Sequence, residues 1–257
     1  MRLRRRAAGA GGLLALVLAM LAVLITEAAW VATRDYLPAE SAPPVDLDLG
    51  SPGVPETDAP LRMVVAGDST GAGVGASRTE STVGARLAAT IADGAQRAVS
   101  LRTVAVSGAR AGDLAAQVDR AVELAPEVVV ILIGANDATH LTPRDSMHRD
   151  LGAAVRRLNE AGARVVVGTC PDLGAATAFP QPLRALAGWR GRAVGVTERS
   201  AVRLAGGVAV DLAAETGPSF RAQPELMLSA DRFHPSDAGY ALWAKALAPA
   251  AISAAGS

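Results

Sequence analysis

The chain has 257 residues, half of them hydrophobic, with 25 basic and 25 acidic side chains and a formal net charge of zero. That composition excludes a disordered or fibrous chain, offers no basic footprint for nucleic acid, and its 3% aromatic content leaves little for stacking bases. A single cysteine, Cys170, excludes an internal disulfide and a cysteine-based zinc site.

Arg2, Arg4, Arg5 and Arg6 precede an uncharged run from Ala7 to Thr26, about the length that a bilayer core requires. Basic flanks stay on the cytoplasmic side. Residues 1–32 are therefore expected to be a single-pass signal-anchor in the cell membrane, with the N-terminus cytoplasmic and the rest of the chain outside. Ala28 and Ala29 also permit a cleaved signal peptide and secretion. The length of the run and the position of Glu27 favour the anchor. Residues 33–60 are rich in proline and acid and keep no apolar period, which predicts an extended linker. Residues 61–257 are then one domain, long enough to bury a sizeable core.

Within that domain strands and helices alternate. Leu61 to Ala66, closed by Gly67, predicts a buried strand. Val83, Leu87, Ala88 and Ile91 share a helical face. Leu101 to Val106 predicts a second strand, and Leu114, Val118, Ala121, Val122 and Ala125 a second helix. The β-branched run Val128 to Ile133 is a third strand closed by Gly134. Met147, Leu151, Ala154, Val155 and Leu158 mark a helix that stops near Gly162. Arg164 to Gly168 and Gly207 to Leu212 complete about five strands, with a weak helix over residues 182–204 between them. Asp113 reads as a helix cap and Asp211 as a strand-end residue. Ser236 can cap a last helix whose core face is Tyr240, Trp243, Ala244, Leu247 and Ala248, with Pro249 as a kink or stop. Such alternation predicts a parallel sheet covered on both faces. Ligands bind beyond the carboxyl ends of strands in such sheets. Asp68-Ser69, Ser107-Gly108 and Asn136-Asp137 all fall there.

A serine hydroxyl needs a base to become a nucleophile, and histidine titrates in the useful range. Of the three histidines, His140 and His148 read as surface residues of a loop and a helix. His234 sits in Asp231-Arg232-Phe233-His234-Pro235-Ser236, just before the last helix. On a tight turn, Asp231 can reach one ring nitrogen while the other faces Ser69. Acyl transfer also needs donors for a developing oxyanion. The candidates are the backbone N–H of Ser69, the backbone N–H of Gly108 and the side-chain amide of Asn136. Asp68 and Asp137 read as residues bracing their loops, and Cys170 as a small buried residue.

Four blocks in this order resemble the SGNH/GDSL hydrolase family. Gly67-Asp68-Ser69 with Gly71, Gly73 and Gly75 is similar to its nucleophile block. Ser107-Gly108-Ala109 resembles the second block, although Ala105 and Val106 replace the usual Asn- and Gly-rich lead-in. Gly134-Ala135-Asn136-Asp137 matches the pattern Gly-x-Asn-Asp, and Asp231 to His234 the pattern Asp-x-x-His. The resemblance spans Met63 to about Trp243. It implies a flavodoxin-like three-layer α/β/α sandwich and a serine esterase working through an acyl-serine intermediate, with Ser69, Asp231 and His234 as catalytic residues. It further implies Ser69, Gly108 and Asn136 as the oxyanion hole and no cofactor, and since no H-E-x-x-H or comparable ligand spacing is present, no metal is expected. Phe179-Pro180-Gln181-Pro182-Leu183-Arg184 resembles an insertion of actinobacterial members and is read as a lid or acyl-pocket wall.

The expected partners are a small-molecule, lipid or glycan ester and, through the N-terminal helix, the membrane. Alternatives within the chemistry are an O-acetyl esterase or transacylase acting on cell-envelope glycan, and a lipase or lysophospholipase. Outside it stands a catalytically silent envelope-binding module. Gly71 to Ala76 also fits a dinucleotide pattern, but the second strand ends Val104-Ala105-Val106-Ser107 without the acidic residue that such a site requires.

Overall fold

The computed structural model describes residues 2–50 and 59–256, with side chains from Leu14 onward except that of Ala95. The side chains of the N-terminal arginines and linker residues 51–58 lie outside the described residues. Helix α1 (Arg2–Ala32) carries the predicted apolar run, and its Leu14–Ala32 portion is long and apolar enough to cross a membrane. After it come β1 (Leu47–Leu49), β2 (Leu61–Gly67), α2 (Val83–Ala95), β3 (Val99–Thr103), α3 (Leu114–Glu123) and β4 (Val128–Leu132). Then follow α4 (Ala135–Thr139), α5 (Arg144–Glu160), β5 (Arg164–Gly168), α6 (Leu183–Leu204), β6 (Val208–Val210), α7 (Leu212–Ala222), α8 (Pro224–Met227) and α9 (Asp237–Ala255).

The sheet runs β1-β3-β2-β4-β5-β6. Its last five strands are parallel, in the flavodoxin-like order that the sequence implied. The side-chain period of two splits each strand between two cores. Val129 and Ile131 join Leu114, Val118, Met147 and Leu151 on the face covered by α3, α5 and α6. Val128, Val130 and Leu132 join Leu87, Ile91, Tyr240 and Leu247 on the face covered by α2 and α9. Both faces are thus apolar, which explains why β4 reads as an unbroken hydrophobic run.

Three local expectations are corrected. Part of the predicted linker is structural: β1 pairs antiparallel with β3, Leu47 opposite Leu101 and Leu49 opposite Val99, so the sheet has six strands. Val45 is buried, and Leu47 and Leu49 pack on the second core. Between the leucines, Asp48 pairs with Arg102 and Ser100, and those hydrogen bonds hold its carboxyl below its ordinary pKa. Three strand residues among prolines and acids carry too little periodicity to be seen; the open edge of β3 supplies the reason to pair. Strand β3 also spans Val99–Thr103 rather than starting at Leu101. The next residues still follow β2, since Val104 and Val106 N–H donate to the Val65 and Gly67 carbonyls. Finally, Pro249 does not stop α9, which continues to Ala255 because Leu247 and Ala251 are buried against the α2 side.

The cap of α9 is as expected, with Ser236 Oγ accepting from Gly239 N–H. Asp211, read as a strand-end residue, directly follows β6 and also caps α7 by accepting from Ala214 N–H. Asp113 lies at the start of α3, where its carboxylate takes the Arg110 N–H instead of a helix N–H.

Candidate active site

The strand order reverses between β2 and β4, and ligands of such sheets bind in the crevice that this reversal opens. Gly67 ends β2 opposite Leu132, the last residue of β4. The residues that follow the two strands, Asp68-Ser69 and Gly134-Ala135-Asn136, therefore flank one crevice. The loop after β2 folds on itself: Ala72 N–H donates to the Asp68 carbonyl and Val74 N–H to that of Ser69. Asp68 accepts from the N–H and hydroxyl of Thr70 at 2.9 and 2.7 Å, and burial pushes its pKa up to about 6. Gly75, at φ +96, lies where any side chain would run into the Pro235 carbonyl and the Cβ of His234. That close approach joins the loop after β2 to the turn before α9.

On that turn Asp231 gathers four hydrogen bonds beside the one from the imidazole. Oδ1 accepts from Ser229 Oγ, Phe233 N–H and His234 N–H, and Oδ2 accepts from Leu37 N–H. His234 Nδ1 donates to Asp231 Oδ2 at 2.6 Å, and its Nε2 lies 2.9 Å from Ser69 Oγ. Burial raises the Asp231 carboxyl, but the His234 hydrogen bond and charge, with the two backbone N–H groups, overcome it and hold the pKa well below the ordinary range. An ionised Asp231 accepts only, so Nδ1 carries the proton and Nε2 is left to accept from Ser69. All three residues are buried, and the Phe233 ring meets the imidazole edge-on at 5.1 Å. Such an arrangement can draw the hydroxyl proton onto imidazole while carbon is attacked.

The other predicted residues line the same cleft as Ser69. Gly108, at φ +83, has open space where a Cβ would stand, and neither its N–H nor that of Ser69 has an acceptor among the described residues. Asn136 Nδ2 donates one hydrogen to the Ala109 carbonyl at 3.0 Å, leaving the second to point elsewhere. Asp137 accepts from Ala111 N–H, so neighbouring residues of one block brace the loop that carries Gly108. A cleft of about 510 Å³ contains Ser69, Gly108, Asn136 and His234, and Phe179 and Leu183 of the predicted insertion line its wall. His140 is exposed at that cleft, whereas His148 on α5 approaches Ser200 of α6.

Sequence reasoning missed two contributors. Gln117 is buried on α3 and grips the peptide that precedes the serine loop: its Oε1 accepts from Gly67 N–H at 2.7 Å and its Nε2 donates to the Gly67 carbonyl at 2.9 Å. The available signal was a glutamine set beside Leu114, Val118 and Ala121 on an apolar helix face. Leu37 was read as linker; no sequence signal marks a backbone N–H that reaches Asp231.

The GDSL-like lipase/acylhydrolase family model matches residues 65–242, from β2 into α9. The chain belongs to that family. A GDSL-like esterase of Mycobacterium tuberculosis is 46% identical over 189 residues, which cover 73% of this chain and 60% of that relative. The chain thus spans less than two thirds of the relative's length. Among solved structures, a catalytic mutant of an acetylxylan esterase from Geobacillus stearothermophilus superposes with a TM-score of 0.58 at 18% identity, covering 79% of this chain and 95% of that one. An alpha/beta hydrolase from the metagenome of Lake Arreo, Spain, gives 0.56 at 22%, covering 77% and 96%. At these identities the two structures show a shared fold. This GDSL-family member therefore carries the SGNH hydrolase fold, with its N-terminal helix outside the matched residues.

Proposed function

We propose that this chain is a serine esterase that hydrolyses carboxylic esters through an acyl-serine intermediate, and that α1 tethers it to the outer face of the cell membrane. His234 Nε2 takes the Ser69 proton as Oγ attacks the ester carbon. The N–H groups of Ser69 and Gly108 and the free amide hydrogen of Asn136 meet the oxyanion, where each such donor is worth roughly 3–4 kcal/mol of barrier. His234 then protonates the leaving alcohol, and water deprotonated by the same nitrogen releases the acid. Asp231 orients the imidazole and balances its charge. The observation that carries this reading is the continuous relay from Ser69 Oγ through His234 to Asp231, at 2.9 and 2.6 Å.

The test uses a fluorophosphonate probe and p-nitrophenyl esters on wild type and Ser69→Ala. Labelling and hydrolysis in wild type alone are the expected result. Equal hydrolysis by Ser69→Ala in a homogeneous preparation sinks the nucleophile. Release of free acid, rather than accumulation of an acylated sugar, separates hydrolysis from transfer. For the tether, the 19-residue apolar stretch Leu14–Ala32 and the arginines that precede the apolar run support an anchor with the N-terminus inside. Full-length protein that leaves membranes in alkaline carbonate would overturn it.

A further inference from the structure

The end of α1 does more than connect. Residues 14–23 are all exposed, whereas in the last turns Leu24, Glu27 and Val31 are partly buried. Their spacing of three and four residues makes one stripe, the side of the helix that leans on the domain. Glu27 Oε2 accepts from the N–H of Leu183, the first residue of α6, at 2.8 Å. Val31 and Tyr36 pack against buried Ala176, Ala178 and Phe179. The Tyr36 ring meets Phe233 edge-on at 5.4 Å, and Leu37 N–H reaches Asp231 Oδ2 at 3.2 Å. Val31, Tyr36 and Leu37 line the same cleft as Ser69 and His234. Phe179, Leu183 and Leu186 line it as well, and the cleft's 510 Å³ lies within the usual size of a ligand pocket.

We propose that residues 27–37 form a specificity-determining wall of the active site, so that the apolar chain of a substrate ester lies between the end of α1 and α6. This rests on the esterase reading above. Ala28, Val31, Leu37, Phe179, Leu183 and Leu186 give the cleft an apolar lining, which rewards each methylene that leaves water. Because the wall is the end of the tether, the cleft is held at the bilayer surface, where long-chain esters partition. Exposed Leu141, Leu186 and Trp189 on the neighbouring elements suit that boundary.

The experiment uses the full chain in phospholipid nanodiscs, as wild type, Val31→Asn and Tyr36→Ala, with p-nitrophenyl acetate, butyrate, octanoate and decanoate. Wild type is expected to favour decanoate over acetate in kcat/KM. Each variant is expected to lower the decanoate-to-acetate ratio by about ten-fold, with the change in KM for decanoate, as loss of uniform binding requires. An unchanged ratio in both variants overturns the wall while leaving the esterase reading intact. Absence of all hydrolysis, together with absence of fluorophosphonate labelling at Ser69, overturns both.

Discussion

At the scale of single residues, two buried carboxyls of the site, Asp231 and Asp68, titrate in opposite directions. Asp231 is held low by His234 and two backbone N–H groups, against its burial. Its folded pKa lies below the unfolded one, so its stabilisation is present above the ordinary carboxylate range and is lost only as pH falls through the folded value. Asp231→Asn removes the charge and reverses the preferred imidazole tautomer, and kcat should fall by roughly 10³–10⁴-fold. A fall of less than ten-fold in p-nitrophenyl ester turnover would mean that the turn alone orients His234. Asp68 is raised by burial from 3.8 to about 6. For this group stability is full below the unfolded pKa and is lost as pH rises through the folded one. The difference amounts to about 2 kcal/mol between pH 4 and pH 7. Asp68→Asn can still accept from Thr70, so the variant should gain on wild type as pH rises across that window. Parallel urea midpoints for the two proteins from pH 4 to 7 would exclude this account.

At the scale of elements, the site depends on how strand ends are held. Gln117 on α3 satisfies both polar groups of the Gly67 peptide, at the point where β2 gives way to the serine loop. Gln117→Leu fits the apolar face of α3 but leaves the buried Gly67 N–H without an acceptor, while the Gly67 carbonyl keeps the Val106 N–H. Such a group costs about 1–3 kcal/mol, so the variant should lose roughly 1–3 kcal/mol in urea denaturation and also lose turnover through a displaced Ser69. An unchanged midpoint would show that β2 and β4 hold the loop without the clamp. The Asn136-Asp137 pair works similarly across elements, one residue donating to Ala109 and the other accepting from Ala111. The loop bearing Gly108 is thereby tied to α4.

At the scale of the whole molecule, the chain before β2 is part of the fold. Val45 is buried, and Leu47 and Leu49 add a sixth strand to the open edge of β3. Burying an aliphatic side chain contributes about 1.5–3 kcal/mol, less for the two half-covered leucines. A chain that starts at Ala59 should therefore be about 3 kcal/mol less stable than one that starts at Ala42. For a domain of this size that corresponds to a Tm roughly 6–12 °C lower. Equal Tm values would reduce β1 to a surface ornament.

Much of this was legible because it depends on local pattern. The two-sided apolar runs of β2 and β4, the helical faces of α2, α5 and α9, and the polar pairs after strand ends predict a parallel sheet with its chemistry along one edge. The resemblance of the four blocks pointed to Ser69, Gly108, Asn136, Asp231 and His234 because each block is short and contiguous. The remainder depends on contacts between residues far apart in the chain. Gln117 lies 50 positions from Gly67 and Leu37 lies 194 from Asp231, and neither a backbone N–H nor a lone glutamine announces its partner. Strand β1 was hidden for a related reason. Its three residues have little preference of their own, and only the unpaired edge of β3 and the uncovered apolar surface beneath it make them a strand. Local chemistry was enough to nominate the reacting groups; which backbone groups hold them, and which segment closes the cleft over them, was decided when the sheet brought distant parts of the chain together.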